Sequence, residues 1–470
     1  MHADHCVAAH GTIAPMSDAL PAGFTARPRA DGAERPVLVG LSGGLDSVVL
    51  LHLLAMQPAI RAGGLRAIHV HHGLQAAADE WAAHCHALCS GLGVPLQVAR
   101  VEVARDAGSG LEAAARVARR RAFAAALDDD GALALAHHRD DQAETFLLRA
   151  LRASGPDGLA AMRPWQRFAG GWLWRPLLCV PRAQLLAHAR DHALRWVEDP
   201  GNDDTAHDRN FLRHRLLPLL RERWPGADAA LARSAALSAE ASDLLLEGDE
   251  AALATARTRD PQALSVAALG LMPRARRARV LRRWIATLAL PPLPAQGIER
   301  IEGDLLVATA DSDAAFEWQG ARIRRWRDLL HAGPGRAPLP SSWRARWDGR
   351  DALPLPGGGQ LRLEGVDAFD IPLHAHARQG GERIHLPGRR HSHALKHVLQ
   401  AAGVPPWQRE HLPLLSDAAG TVLAAGDLAV SAPLDAWLRA RGARLAWQSG
   451  PARDDIGNLE GADPTPQRRP

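Results

Sequence analysis

The chain has 470 residues, with 56 Lys and Arg against 52 Asp and Glu, a formal net charge of +4 and 4 cysteines. That length predicts about two or three domains, each able to bury its own core. The charge balance alone does not indicate nucleic acid, the absence of an extended apolar run argues against a membrane span, and Cys6, Cys85, Cys89 and Cys179 are too few for a disulfide framework.

Residues 1–35 scatter Pro, Ala, Gly and His without the compact apolar segment of a signal peptide, and read as a disordered extension. Then Val37-Leu38-Val39-Gly40-Leu41 runs into Ser42-Gly43-Gly44-Leu45-Asp46-Ser47 and on into Val48 to Leu54, which reads as strand, tight loop and helix. The glycines let backbone N–H groups approach an anion, and Ser42 and Ser47 add hydroxyls at a helix N-terminus, so the loop is suited to phosphate. It lacks the lysine of the kinase-type loop. Asp46 would repel phosphate unless screened, which suggests a bridging Mg²⁺.

Leu65 to Val70 is a second strand, ending in His69-Val70-His71-His72-Gly73-Leu74. A helix over Asp79 to Ser90 follows, then strand Leu96 to Val103, helix Leu111 to Leu127 and strand Ala132 to Ala136. Such alternation predicts a parallel sheet with its ligand site at the carboxyl ends of the strands, where the polar motifs fall. The last of them, His137-His138-Arg139-Asp140-Asp141-Gln142-Ala143-Glu144, opens a helix on which Asp141 and Glu144 share a face. Acids in a first helical turn also suit the helix dipole without any further role. Cys85 and Cys89 sit at helical spacing with no second pair, so packing explains them better than metal.

Past Pro218 the alternation stops. Asp228 to Thr255 and Arg274 to Leu288 read as amphipathic helices, the latter with Ala278, Leu281, Ile285 and Leu288 on one stripe. Its other face carries Arg276, Arg277, Arg279, Arg282 and Arg283 beside Trp284, and a second basic run covers Arg322 to Arg327. These are either solvated faces or surfaces that track phosphate. Pro334 to Pro338 reads as a linker. Beyond it, short strands (Leu361 to Leu363, Arg383 to Leu386, Val422 to Ala424) and a helix from Ser392 to Ala402 make a small α+β module, and the Pro-rich tail after Ser449 reads as disordered.

The Ser42 to Ser47 stretch resembles the pyrophosphate loop of the N-type ATP pyrophosphatases. Together with His69 to Leu74, Gly110 to Arg116, His137 to Leu148, Asp199 to Arg213, Pro387 to Ser392 and Gly403 to Trp407, it resembles the tRNA(Ile)-lysidine synthetase family, in matching order from about Pro36 to Ser449. Where that family usually has Arg-Gly-x-Gly, this chain has Arg152-Ala153-Ser154-Gly155.

The resemblance implies a parallel-sheet α/β ATP pyrophosphatase domain over 36–218, of the adenine nucleotide alpha hydrolase-like class. It also implies a helical tRNA-binding domain over 225–332, a linker with irregular strands over 333–368, and a C-terminal α+β domain over 369–449, with 450–470 as tail. It implies ATP held by Ser42, Gly43, Gly44, Leu45, Asp46, Ser47 and His137, Mg²⁺ on Asp46, and catalysis or lysine recognition by Asp46, Asp141, Glu144, Arg116 and Arg209. Arg389, Arg390 and Lys396 become candidate tRNA contacts. The implied reaction joins free L-lysine to the wobble cytidine of a CAU anticodon through an adenylated intermediate, in the cytoplasm, and leaves monomer and homodimer both open. A thiolase of the same superfamily would normally need a reactive cysteine pair, and the spacing here is wrong for one. A non-catalytic RNA-binding protein would have no reason to keep Asp46, Asp141 and Glu144 together.

Overall fold

The computed structural model describes residues 32, 34–73, 77–103, 111–199, 201, 204–308 and 314–449. Nearly all of the expected extension, the tail after Ser449, and motif residues Leu74 and Gly110 lie outside the described residues. The chain divides into two units, 1–247 and 248–470.

In the first unit, β1 (Val37–Gly40), β2 (Leu65–His71), β3 (Leu96–Arg100), β4 (Ala132–Ala134), β5 (Trp165–Phe168) and β6 (Gly171–Trp174) form one sheet in the order β3-β2-β1-β4-β6-β5. Pairing is parallel throughout except for edge strand β5, which runs antiparallel to β6. Side chains alternate between the two faces, so Val37 and Val39 enter one core while Leu38 enters another with Ile68, Phe123 and Leu133. The helices are α1 (Leu45–Ala55), α2 (Pro58–Ala62), α3 (Ala78–Leu92), α4 (Leu111–Ala126), α5 (Arg139–Ala150), α6 (Pro156–Leu159), α7 (Arg182–Asp191), α8 (Asp208–Phe211), α9 (Leu217–Arg223) and α10 (Ala227–Ala256), with a π-helical turn at Leu212–Leu216 between α8 and α9. Helix α1 is apolar on nearly every side and buried accordingly.

The strand order reverses at β1, which has β2 on one side and β4 on the other, with Val39 beside Ala134. The loops after β1 and β4 therefore leave adjacent strand ends, where open parallel sheets bind ligands. The strands read from sequence at 96–103 and 132–136 are shorter than expected, and the β5–β6 hairpin and α7 were not anticipated. The hairpin turns at Ala169, whose φ is +49°, and stacks Trp165 on Trp174 with centroids 5.2 Å apart.

The second unit begins within α10, at Gly248, and continues with β7 (Ala263–Ser265), α11 (Val266–Gly270), α12 (Arg274–Thr287) and α13 (Ala295–Arg300), followed by β8 (Ala315–Trp318), β9 (Ala321–Trp326) and β10 (Leu329–Pro334). The region is helical as expected, and it also carries an antiparallel sheet, β7-β10-β9-β8. On α12, Leu281 and Ile285 are buried, with Ala278 and Leu288 packed beside them. Trp284 belongs to that core too, 1% exposed with its indole N–H donating to Pro261 O at 3.0 Å, and not to the arginine face.

The stretch expected as a linker with irregular strands carries named strands. Pro334 ends β10, and residues 338–364 carry β11 (Arg344–Trp347), β12 (Leu353–Pro354) and β13 (Gly359–Glu364). Leu339, Trp347, Leu353 and Leu361 share a core with Leu373, Leu415 and Leu445. Leu361 to Leu363, read as a strand from sequence, lies inside β13, whereas the alternation at β11 and β12 is too short to announce a strand. The remaining elements are β14 (Leu373–His376), β15 (Arg383–Ile384), β16 (His393–Ala394), α14 (Leu395–Ala401), α15 (Pro406–Arg409), β17 (Leu414–Ser416), β18 (Val422–Ala425), β19 (Ala429–Val430), α16 (Ala432–Arg441) and β20 (Arg444–Ser449).

Candidate active site

The loop after β1 holds its shape through its own serines. Ser47 Oγ accepts from Ser42 N–H at 3.2 Å and donates to Gly44 O at 3.0 Å, while Ser42 Oγ accepts from Gly44 N–H at 3.3 Å. Ser47 is buried, so its hydroxyl braces the loop. Gly43 has φ +89°, which favours glycine, and a Cβ there would be tight, 3.1 Å from Val197 Cγ2 and 3.2 Å from Cys85 Sγ. Gly44 caps α1 with no side-chain hydrogen bond, leaving the N–H groups of the first turn to an anion. Leu45 is buried in the core and can offer only its backbone.

Asp46 stands in that first turn. Its Oδ1 is buried without a hydrogen-bond partner, 3.5 Å from Arg182 Nε, and its Oδ2 lies 3.7 Å from His138 Nε2. Burial raises its carboxyl pKa against the pull of His138 and Arg182. An orphaned carboxylate oxygen at a phosphate loop fits a divalent cation that takes its other ligands from phosphate and water. Among the described residues there is no group of three or more His, Cys, Asp or Glu that could hold a metal ion.

The loop after β4 starts α5 through a reciprocal cap. His138 Nδ1 accepts from Asp141 N–H at 3.4 Å, and Asp141 Oδ2 accepts from His138 N–H at 3.0 Å. With Nδ1 an acceptor, the ring proton of the neutral imidazole belongs on Nε2, which faces Asp46 and Asp141. Asp140 points elsewhere: it accepts from Arg182 N–H at 2.9 Å at the start of α7, and from Arg221 Nη2 at 2.9 Å.

Asp141 and Glu144 meet Arg213, which donates through Nε to Glu144 Oε1 at 2.7 Å and through Nη2 to Glu144 Oε2 at 3.1 Å and Asp141 Oδ1 at 3.0 Å. Arg209 brings Nε within 3.2 Å of Glu144 Oε2 and donates to Thr145 Oγ1 at 2.9 Å. Burial would raise Asp141, but the His138 and His137 rings, the Arg209 charge and the hydrogen bond from His138 N–H outweigh it and hold its pKa low. Glu144 is fully buried, and that burial raises its pKa despite Arg213. Burial works against the charge on Arg213, yet Glu144 and Asp141 win and raise its pKa. His137 is half-buried, with its pKa pushed down to about 3 by desolvation and its Nδ1 unpartnered, so it is a neutral ring with a free nitrogen.

Of the residues expected from sequence, the fold thus joins Asp46, Asp141, Glu144 and Arg209, with His137 alongside. Arg116 is exposed on α4 and forms no part of the contacts just given. Sequence reasoning passed over Arg213, His138 and Arg182. Arg213 carried a signal, lying four residues after Arg209 as Glu144 lies three after Asp141.

The basic runs of the second unit are mostly spent within the fold. Arg276 and Arg279 meet Asp249 at 2.5 and 2.7 Å, Arg277 meets Glu302 at 3.1 Å, and Arg283 meets Glu250 at 2.5 Å. Arg324 is buried with two 3.0 Å bonds to Glu410, and Arg325 donates to Leu306 O at 2.7 Å. This corrects the phosphate-tracking reading for those residues. Arg389, Arg390 and Lys396 are exposed. Cys85 and Cys89 are buried, their thiols pushed up to about 12 and about 11 by desolvation, so neither is a nucleophile.

A parallel sheet with an anion loop at its switch point, faced by a His-Asp helix, defines a PP-loop protein, and the PP-loop domain model matches residues 25–220. The models of the TilS substrate binding domain and the TilS substrate C-terminal domain match residues 264–331 and 373–447. The tRNA(Ile)-lysidine synthase of Xanthomonas axonopodis pv. citri (strain 306) is 58% identical over 416 residues, covering 88% of this chain and 94% of its own. Those of Xanthomonas campestris pv. campestris (strain 8004) and Xylella fastidiosa (strain 9a5c) are 57% and 54% identical, over 88% and 90% of this chain and 95% and 97% of theirs. The chain belongs to the tRNA(Ile)-lysidine synthase family.

Proposed function

We propose that this chain is an ATP-dependent ligase that joins free L-lysine to the wobble cytidine of the CAU anticodon of tRNA(Ile), giving lysidine and changing decoding from AUG to AUA and identity from Met to Ile. The observation that carries the reading is the meeting of Asp46 in the anion loop with His138, Asp141, Glu144 and Arg209, in a chain so similar to lysidine synthases along most of its length.

ATP lies with its β- and γ-phosphates on the N–H groups of Gly43, Gly44 and the first turn of α1, and His137 Nδ1 faces the nucleotide. Asp46 would hold Mg²⁺, which would supply positive charge against the departing pyrophosphate. The cytidine carbonyl oxygen attacks the α-phosphorus and the bond to pyrophosphate breaks. The lysine ε-nitrogen then attacks C2 of the base, and AMP leaves with the former carbonyl oxygen. Lysine arrives as an ammonium of pKa about 10.4, so neutral amine at pH 7 costs about 4.6 kcal/mol unless a base takes the proton. Asp141, held ionised, suits the ammonium, while Glu144, raised by burial, suits proton acceptance. Arg209 and Arg116 suit phosphate or the lysine carboxylate. The second unit grips the tRNA body, with Arg389, Arg390 and Lys396 on phosphates.

Buried, unreactive Cys85 and Cys89 speak against a thiolase. No described helix is long and apolar enough to cross a membrane, and we assign the enzyme to the cytoplasm with its tRNA. Light scattering with and without tRNA distinguishes monomer from homodimer. The deciding experiment incubates protein, ATP, Mg²⁺, bulk tRNA and mixed amino acids, then weighs the digested nucleosides. A cytidine heavier by one condensed lysine is expected. A thiolated base, or no change, overturns the reading.

A further inference from the structure

Arg213 has no task in the reaction just described, yet it holds both acids assigned to lysine. Its three bonds, at 2.7, 3.0 and 3.1 Å, engage both oxygens of Glu144 and Oδ1 of Asp141. Asp141 Oδ2 is taken by the His138 N–H at 3.0 Å. The cluster is also balanced in charge, since Asp46, Asp141 and Glu144 meet Arg182, Arg209 and Arg213. An ammonium entering this arrangement would add an uncompensated positive charge and would find both oxygens of Asp141 and of Glu144 already engaged. ATP has the opposite effect. Its phosphates bring negative charge to the loop of Asp46, within electrostatic reach of Arg213.

We propose that Arg213 is an internal stand-in for the lysine ammonium, closing Asp141 and Glu144 until nucleotide phosphate draws the guanidinium away, so that lysine binds only after ATP. The inference rests on the reading of those two acids as the ammonium site. Guanidinium and ammonium compete for the same carboxylates, whereas only the guanidinium fork also matches phosphate bidentately, so phosphate separates the two cations. The backbone supplies a means of movement. Arg213 sits in the π-helical turn Leu212–Leu216, which holds one residue more than an α-turn. Relaxation of such a turn rotates the side chains beyond it by about 100° around the helix axis. Arg213 is therefore a positioning residue that sets the order of binding. The amine site opens as the nucleotide site fills, so lysine enters only once ATP is in place.

The test is equilibrium dialysis of labelled lysine against the full chain, with and without a non-hydrolysable ATP analogue and Mg²⁺. The wild type should bind lysine about tenfold or more tightly with the analogue, a usual size for coupling between two sites. Arg213→Gln should bind lysine equally in both conditions, near the tighter value. Arg213→Lys keeps the charge but loses the fork, and should show a reduced nucleotide dependence; thermal unfolding of both variants confirms that they are folded. Equal wild-type binding in the two conditions, whether tight or absent, overturns the proposal without reference to any variant. So does a folded Arg213→Gln that keeps the wild-type ratio. Asp141→Asn separates this failure from that of the underlying reading. It should weaken lysine binding in the presence of analogue; unchanged affinity would remove the ammonium site and the proposal with it, whereas weakened affinity beside a flat wild-type ratio would remove only the gate.

Discussion

In the second unit Asp249 receives Arg276 and Arg279 at 2.5 and 2.7 Å, and in the first unit Glu144 receives Arg213 at 2.7 Å with Arg209 at 3.2 Å. By distance and burial of the acid, the two clusters are alike. They differ in what lies beside them. Around Glu144, the loop acid Asp46 leaves Oδ1 buried and unpartnered and His137 leaves Nδ1 so, whereas neither Asp249 nor its two arginines leave a buried side-chain polar atom unsatisfied. Buried polar groups are normally satisfied, and two orphans beside an anion loop fit a place kept for a ligand, whereas orphans away from it, such as Trp447 Nε1 and Ser431 Oγ, carry no such meaning alone. Ion pairs alone therefore do not separate a scaffold from a site; the unpaired atoms next to them do.

The comparison breaks first at Asp46. Asp46→Asn should lower tRNA-dependent release of AMP and pyrophosphate by about 10²- to 10³-fold or more, with tRNA affinity nearly intact, as measured by single-turnover assay and filter binding. Normal turnover would reduce this acid to the status of Asp249. Asp249→Ala should do the reverse. It should cost about 2 kcal/mol in urea unfolding of the second unit, moderated because the two guanidiniums are 33% and 17% exposed and can rehydrate, while lysidine formed per folded molecule stays level.

Acid should also separate the units. In the first, His52, His69, His72, His137 and His188 have lowered pKa values, chiefly through desolvation, and His52 and His188 touch at 3.1 Å between α1 and α7. In the second, the described histidines with lowered values are His331 and His411. A histidine whose folded pKa is depressed takes up its proton first in the unfolded chain, so stability falls as pH drops from 6.5 through about 4, the value for His188, and for His137 on toward about 3. The first unit should therefore lose more stability across that window, read from urea midpoints with proteolytic fragments reporting which unit opens. Equal losses would mean that the buried histidines are not the cause.

Two smaller effects sharpen the picture. Neutralising the exposed Arg389 and Arg390 should flatten the salt dependence of tRNA binding, by about 0.9 in log-log slope for each duplex phosphate no longer neutralised, an effect not expected from removing the paired Arg276. Ala153 holds φ +53° just past α5, where the family usually has glycine, so Ala153→Gly should gain about 1 kcal/mol in thermal unfolding by relieving that conformation.

The sequence by itself determined whatever consecutive residues encode. The apolar run, the Ser-Gly-Gly turn and the helix after it can hardly form anything but strand, anion loop and helix, and the spacing of Asp141 and Glu144 places both on one face before any packing is known. Alternation of strands and helices likewise gave the parallel sheet and the side on which its site lies. What only the tertiary structure decided were partnerships between distant segments. The arginine face of α12 reads as surface because a helical wheel shows where side chains point and not what they meet, and Asp249 meets them from another helix. β11 and β12, which the sequence reading did not set out as strands, form because partners such as β14 and β13 stabilise them. His138 reads as half of a polar pair until the capping of α5 turns its ring toward Asp46, and Arg213 reads as one arginine among many until the turn that carries it reaches Asp141 and Glu144. Electrostatic contacts act over a few ångströms in space, and sequence separation carries almost no information about which charges will be brought that close.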